Sequence, residues 1–283
     1  MPLYVLKVLV IGLATGVLAG IFGVGGALLS TPAIRLVLRA PPLIAVGTTL
    51  PVVIPAAISG GIVYWRRGLI SKKVVIWAAP AGMVGAAAGA GVTRFISGTY
   101  LLTITALIIL YVGIRFLYES KREKERRPEG RPLQERRGGP LGPHPAPRSE
   151  GPEGLPSSGS RLSPVVSLVV GFGAGFIGGL LGIGGGIILI PAFVWLGKMP
   201  PKMAFGTSLV TIAAMAIPGS IVHFALKHID VNIMAWLTLG VIPGGWLGAR
   251  FAQRAKESLL VTAFGLFLVA VAIYFGLAEL LTL

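Results

Sequence analysis

The phrase "LGIGGGIILIP", residues 181–191, repeats an earlier one, "FGVGGALLSTP", residues 22–32. Each sets a run of glycines inside a strongly apolar segment, with a proline a few residues on. Within a helix, glycine costs about 1 kcal/mol and proline about 3 kcal/mol relative to alanine. A phrase this costly, written twice, marks a place where a helix must be interrupted. The apolar elements that carry it, 4–39 and 164–198, are each too long for one simple span. Each divides at the glycines into about 19 residues before and a shorter apolar piece after, 27–38 or 187–197. The expectation is a broken helix in each half.

The surrounding composition is that of a membrane protein. Of 283 residues, 54% are hydrophobic and only 12% are charged, and the mean hydropathy is +0.84. A soluble domain carries about 25% charged residues. Apolar stretches long enough for a helical span, roughly 20 residues, recur along the chain. They are apolar all round, whereas barrel strands alternate in polarity, so the fold class is all-α and polytopic. There is no cysteine, which removes thiol catalysis, disulfides and thiolate metal sites. The three histidines, His144, His223 and His228, form no metal-ligand pattern, so no cofactor or metal is expected.

Sliding the sequence by 159 residues aligns its halves without a gap. Gly12, Gly16, Gly20, Gly23, Gly25 and Gly26 fall on Gly171, Gly175, Gly179, Gly182, Gly184 and Gly185. Pro32 falls on Pro191, Thr48 on Thr207, Trp77 on Trp236, and Gly89 on Gly248. The register holds from about residue 10 to 116 against 169 to 275. Residues 1–118 are therefore a first membrane repeat and 164–283 a second. The segment between, 119–163, opens "ESKREKERRPEG" and turns rich in Pro, Gly and Ser. It cannot supply a core and reads as a disordered linker. It holds ten of the 25 Lys and Arg, so the net charge of +15 points to membrane topology rather than nucleic acid.

Four spans per half are expected: 4–31, 43–65, 73–94 and 98–118, then 163–193, 203–226, 231–252 and 258–279. An even number makes the halves parallel repeats, with both termini cytoplasmic beside the linker. If the piece after each glycine run instead forms a re-entrant leg, the parity changes and the repeats become inverted. Arg66, Arg67, Lys72 and Lys73 agree with the first arrangement; Arg35, Arg39, Arg94, Lys198, Lys202, Arg250 and Arg254 do not. The sequence is silent on oligomeric state.

Candidate site residues follow from the breaks. A second piece begins with unpaired amides and the positive end of a helix dipole, which favours an anion. That selects Gly25, Gly26, Gly184, Gly185 and Gly186. The upstream glycines, four residues apart, read as helix-packing positions. After each break a helix opens with glycine and two hydroxyls, Thr48-Thr49 and Thr207-Ser208, which can donate to an oxyanion. They can equally cap a helix start or bond their own backbone. Ionisable groups within spans are functional candidates: His223, its counterpart Tyr64, and Arg250 near a helix end, for proton coupling or anion contact. Asp230 reads as the cap of the next helix.

"GIGGGIILIPAF…AFGTSL" and "GVIPGGWLGARF" resemble the hallmark phrases of the TauE/SafE sulfite exporter family. The likeness covers both halves but not the linker. In the first half Ala27 stands where the third glycine would be, and "AVGTTLP" replaces the hydroxyl phrase. The resemblance implies a four-plus-four-helix permease exporting sulfite or small organosulfonates such as sulfoacetate, with proton linkage. Its partners would be a small anion, the lipid bilayer and protons. A passive anion channel is the alternative, and a membrane scaffold a weaker one. An enzyme is not expected: Ser208 and His223 are 15 residues apart on one helix, about 22 Å along its axis at 1.5 Å per residue.

Overall fold

The computed structural model describes residues 2–96, 98–126 and 162–282. The described residues are helical. In chain order the helices are α1 (Pro2–Phe22), α2 (Ala27–Val37), α3 (Pro42–Arg66), α4 (Lys72–Val92) and α5 (Gly98–Arg126). Then come α6 (Pro164–Leu181), α7 (Gly186–Pro191), α8 (Pro201–Ala225), α9 (Val231–Arg254) and α10 (Glu257–Thr282). A single 3-10 turn, Thr93–Phe95, follows α4, and a π-helical turn, Ala192–Leu196, extends α7. Among the described residues, eight helices are long and apolar enough to cross a membrane, as the composition requires. Both long first elements are broken at the glycines, as expected. α5 runs to Arg126, so residues 119–126 continue a helix instead of opening the linker. The rest of the expected disordered linker, 127–161, lies outside the described residues.

The repeat survives in the backbone. Pro42 and Pro201 each occupy a first helical position, where the missing N–H costs nothing. Gly23, Gly25 and Gly26 have φ of 73°, 79° and 92°, and Gly182, Gly184 and Gly185 have 67°, 73° and 79°. Arg39 and Lys198, again counterparts, share φ near 50°. The two halves are not separate lobes, however. Each extensive helix contact joins one half to the other: α1 with α9, α4 with α6, α5 with α10, and α3 with α8 and α9. The two most buried spans, α3 and α8, form the centre.

Helix directions follow from which residues meet. Along α1 and α9, Gly12 faces Leu237, Gly16 faces Val241 and Gly20 faces Ala249, so these helices are parallel. α4 and α6 are parallel likewise, with Gly171 against Ala78 and Gly179 against Ala86. The equivalent helices α3 and α8 are antiparallel: Gly60 meets Leu209, whereas Gly219 meets Leu50. α5 and α10 are antiparallel too, since Gly113 meets Leu268 and Ser120 bonds Thr262. Equivalent elements that point in opposite directions are inverted repeats.

The cause is the piece after each break. Gly26 lies against Thr15 and Ala19 of α1, and Ile34 shares a core cluster with Val8. α2 therefore runs back down beside α1 as a re-entrant leg. Each half then has an odd number of legs, and α6 starts at the end opposite to α1. The helix ends that flank the linker, of α5 and α6, lie at one end of the bundle; the starts of α1 and α9 and the finish of α10 lie at the other. Parallel repeats with linker and termini on one side are thereby corrected to the inverted alternative.

The upstream glycines are packing residues, as their spacing suggested. A Cβ on Gly12 would sit 2.6 Å from the carbonyl oxygen of Leu237, and one on Gly16 2.5 Å from that of Val241. Lipid gives helices no hydrophobic drive to associate, so close backbone approach and dispersion do that work. Gly173, on another face of α6, has nothing within 4 Å of its Cβ position. Gly16→Ala should therefore destabilise by about 1–3 kcal/mol, the usual cost of overpacking, while Gly173→Ala should be neutral or slightly stabilising. Thermal unfolding of the two variants in one detergent checks the difference.

Candidate functional site

The glycines stand where the backbone demands them. At three positions in each break φ is positive, the left-handed region that side chains with a Cβ enter only at a cost. Gly186 is not one of these positions, so its counterpart Ala27 can start α2 without strain. Gly186 is small for another reason: a Cβ there would lie 2.8 Å from Cα of Val24, in the opposite break. The two reversals touch.

They meet around a pair of equivalent apolar side chains. A Cβ on Gly25 would lie 2.8 Å from Val53 Cγ1 and 3.0 Å from Ile212 Cγ2. From Gly184 the same two atoms are 3.3 and 3.2 Å away. Val53 and Ile212 are duplicates in the repeat, on α3 and α8. The breaks also cross over. Gly23 packs on Phe205 of α8 and Gly182 packs on Val46 of α3, so each half's reversal rests on the other half's central helix. Beside Gly184, a crevice too narrow to admit a water molecule is lined by Gly178, Gly179 and Met215 among others. Both glycine runs lie at one centre of the fold, and the space between them is filled by Val53 and Ile212.

The four hydroxyls divide into different roles. Thr48 Oγ1 accepts from the backbone N–H of Asp230 at 2.9 Å, and Thr207 Oγ1 accepts from that of Ser71 at 2.9 Å. Ser71 and Asp230 are themselves duplicates, at the starts of α4 and α9. Thr48 and Thr207 thus tie each central helix to the opposite half, away from the breaks. Asp230 caps α9, accepting from Asn232 and Ile233, as expected. Thr49 lies within bonding distance of the carbonyls of Val46 (2.9 Å) and Gly182 (3.1 Å) and of the Thr31 hydroxyl (3.0 Å). It clamps the second break to α2. Its duplicate Ser208 has none of these partners: fully buried, its hydroxyl makes no hydrogen bond. The counterpart of Thr31 is Ile190, which cannot pair with it.

Two further residues matter that pattern alone did not select. Thr15, 1% exposed, also carries an unpartnered hydroxyl, and its Cγ2 is 3.0 Å from the Cβ position of Gly26. His228 places its Nδ1 3.3 Å from Nδ1 of His223. The signal for Thr15 was an inequality between halves, since Ala174 stands at the duplicate position.

Tyr64 and His223 are duplicates with one shared task. Tyr64 Oη donates to the carbonyl of Gly20 at 3.2 Å and lies 3.3 Å from that of Ile21. His223 Nε2 bonds the carbonyl of Gly179 at 3.2 Å. These carbonyls belong to the last turns of α1 and α6, which have no partner within their own helices. Both side chains are fully buried. Arg250 is set apart: it is exposed, with its guanidinium carbon 3.7 Å from the centre of the Trp246 ring. The structure does not bring it to the breaks.

The arrangement offers no nucleophile with a base, and no group of metal-binding side chains among the described residues. It offers uncapped amides, since neither Gly26 nor Gly185 receives a side-chain cap, together with two orphaned hydroxyls. Such a set is chemically able to hold an anion without a fixed cation.

The comparisons with known proteins point to membrane transport. The chain is 25% identical over 262 residues to the probable membrane transporter protein YunE of Bacillus subtilis, covering 88% of each chain. It is 29% identical over 267 residues to a probable membrane transporter protein of Xylella fastidiosa, covering 93% of this chain and 90% of that one. A shorter match, 27% over 116 residues, links 41% of this chain to 24% of the sulfite exporter TauE/SafE family protein 3 of Arabidopsis thaliana. No solved structure matches. The sulfite exporter TauE/SafE family matches residues 8–275, both repeats and the segment between them, and the chain belongs to that family of membrane transporters, not enzymes.

Proposed function

We propose that this protein is a proton-coupled secondary transporter of small sulfur oxyanions, sulfite or an organosulfonate such as sulfoacetate, and that the anion binds where the two reversals meet. The observation that carries this reading is the orphaned Ser208 hydroxyl, one turn along α8 from Phe205, which packs on Gly23 of the first break, in a core where its duplicate Thr49 is fully bonded. A buried hydroxyl without a partner costs about 1–3 kcal/mol. An anion supplies the missing acceptor, and hydrogen bonds to a charged partner contribute about 1.5–3 kcal/mol each. A few such donors suffice for micromolar to millimolar binding. The family supplies the sulfur, which the donor set alone does not specify.

Closed packing at Val53 and Ile212 favours alternating access over an open anion channel. Inverted repeats allow the same site to open to either side by rocking one assembly against the other. We propose further that the linker end faces the cytoplasm. The arrangement places Arg66, Arg67, Lys72, Lys73, Lys121, Arg122, Lys198, Lys202, Arg250, Arg254 and Lys256 at that end. Lys7, Arg35, Arg39, Arg94 and Lys227 lie at the other. Positive residues favour the cytoplasmic side.

Ser208→Ala should raise the half-saturating sulfite concentration severalfold and leave thermal stability unchanged or slightly higher, since the hydroxyl has no protein partner. Thr49→Val should lower stability by about 1 kcal/mol, the value of a net hydrogen bond, with its effect on binding secondary. Uptake into proteoliposomes against sulfite, thiosulfate, sulfoacetate, sulfate and acetate decides the substrate. An unchanged sulfite affinity in Ser208→Ala would place the anion elsewhere. The chain contains no cysteine, so single cysteines report orientation directly. One in the linker should resist a membrane-impermeant maleimide added to intact cells, and one at Arg39 should react.

A further inference from the structure

The second half contains a titratable pair that the first half lacks. His223 is fully buried on α8, and both of its ring nitrogens are engaged. The Gly179 carbonyl can only accept, so Nε2 of the neutral ring carries the hydrogen and Nδ1 is bare. At 3.3 Å, Nδ1 of His228 is therefore the donor to Nδ1 of His223. The tautomers form a chain: His228 Nδ1–H to His223 Nδ1, then His223 Nε2–H to Gly179. His228 sits on the α8–α9 connection, partly exposed at the termini end. Its position is fixed from two sides. Its N–H bonds the carbonyl of His223 at 3.0 Å, and a Cβ on Gly47 would lie 2.6 Å from the Cβ of His228. At the other end of the chain, Gly179 lines the crevice that contains Gly184. In the first half the same two positions are Tyr64 and Leu69, which break any such path.

We propose that His228 and His223 are the entry for the coupling proton, which charges His223 against the second helix break. This rests on the transporter reading above. A proton from the water at the termini end binds Nε2 of His228. The Nδ1–H of His228 passes to Nδ1 of His223. His228 is then neutral, with its hydrogen on Nε2, and His223 is an imidazolium with an N–H at both nitrogens. One proton has moved inward and no bond other than N–H has changed. The new positive charge lies against the last turn of α6, which leads into the second break. Release of the proton to the opposite side after the transporter changes state discharges the pair and completes the coupling.

The surroundings suit a carrier that is neutral at rest. α6 presents no ionisable side chain. Asp230 and Lys227 share the connection with His228, Tyr4 of α1 faces Asp230, and Arg94 follows α4 over Phe95. Asp230 is held as the cap of α9. Burial pushes His228 below the ordinary histidine pKa. A lowered pKa means that His228 takes up its proton only as the pH falls on its own side.

The test uses purified protein in proteoliposomes and radiolabelled sulfite, with the other anions of the panel as alternates. Two readouts are compared: exchange at equal pH on both sides, and net uptake driven by an imposed gradient, acid outside. His228→Leu copies the first half at a partly exposed position, and it should retain exchange within twofold while gradient-driven uptake falls at least tenfold. His223→Tyr copies Tyr64, whose hydroxyl meets the equivalent carbonyl; it should also lose gradient-driven uptake and raise the half-saturating concentration at acid pH. Gradient-driven uptake that survives in His228→Leu overturns the relay and leaves the transporter reading intact. Failure of the wild type to move any anion of the panel overturns both.

Discussion

A chain that reverses direction inside a bilayer must keep its backbone polar groups satisfied without water. That constraint sits at Gly23–Gly26 and Gly182–Gly185, and the rest of the fold answers to it. Unwound backbone is tolerated at membrane depth only when protein surrounds it. Each reversal is therefore buried against the other half's central helix, Gly23 on Phe205 and Gly182 on Val46. Neither half can supply that cover for itself. The repeats interleave because their breaks need each other's helices, and helices this close need the glycine faces of α1, α4, α6 and α9. Tyr64 and His223 complete the enclosure by bonding the terminal carbonyls of α1 and α6.

The duplication has since diverged in a consistent direction. In the first half only Thr15 of these buried hydroxyls stays unpartnered. Thr49 bonds Gly182 and pairs with Thr31, and Tyr64 holds Gly20. The second half leaves Ser208 unpartnered, replaces Tyr64 by His223, and puts His228 where the first has Leu69. Inverted repeats give a transporter two states of similar energy.

Re-entrance also resolves the distribution of charge. With four simple spans per half, Lys198, Lys202, Arg250 and Arg254 fall on the wrong side of the membrane from Arg66 and Lys72. Once α2 and α7 turn back, they join the same end, together with the helix ends that flank the basic linker. Arg250, which looked like a site residue from its position near a span, becomes an interfacial residue stacked on Trp246.

The sequence by itself determined the membrane class, the eight spans, the duplication and the two breaks. These depend on local composition and on positions related by a constant offset. It also marked the upstream glycines as contact residues, because small side chains at four-residue spacing have few other uses in lipid. It did not determine parity. Whether eleven apolar residues after a break return beside the preceding helix or cross onward depends on what they pack against, here Thr15 and Ala19 for Gly26. Nor could it separate Thr48 from Thr49 or Thr207 from Ser208. Adjacent hydroxyls on a helix point about 100° apart, and only the tertiary structure shows which meets a backbone N–H of the other half and which meets nothing. The partnership of His223 with His228 was likewise invisible: five residues apart, they are brought together by the way the chain leaves α8.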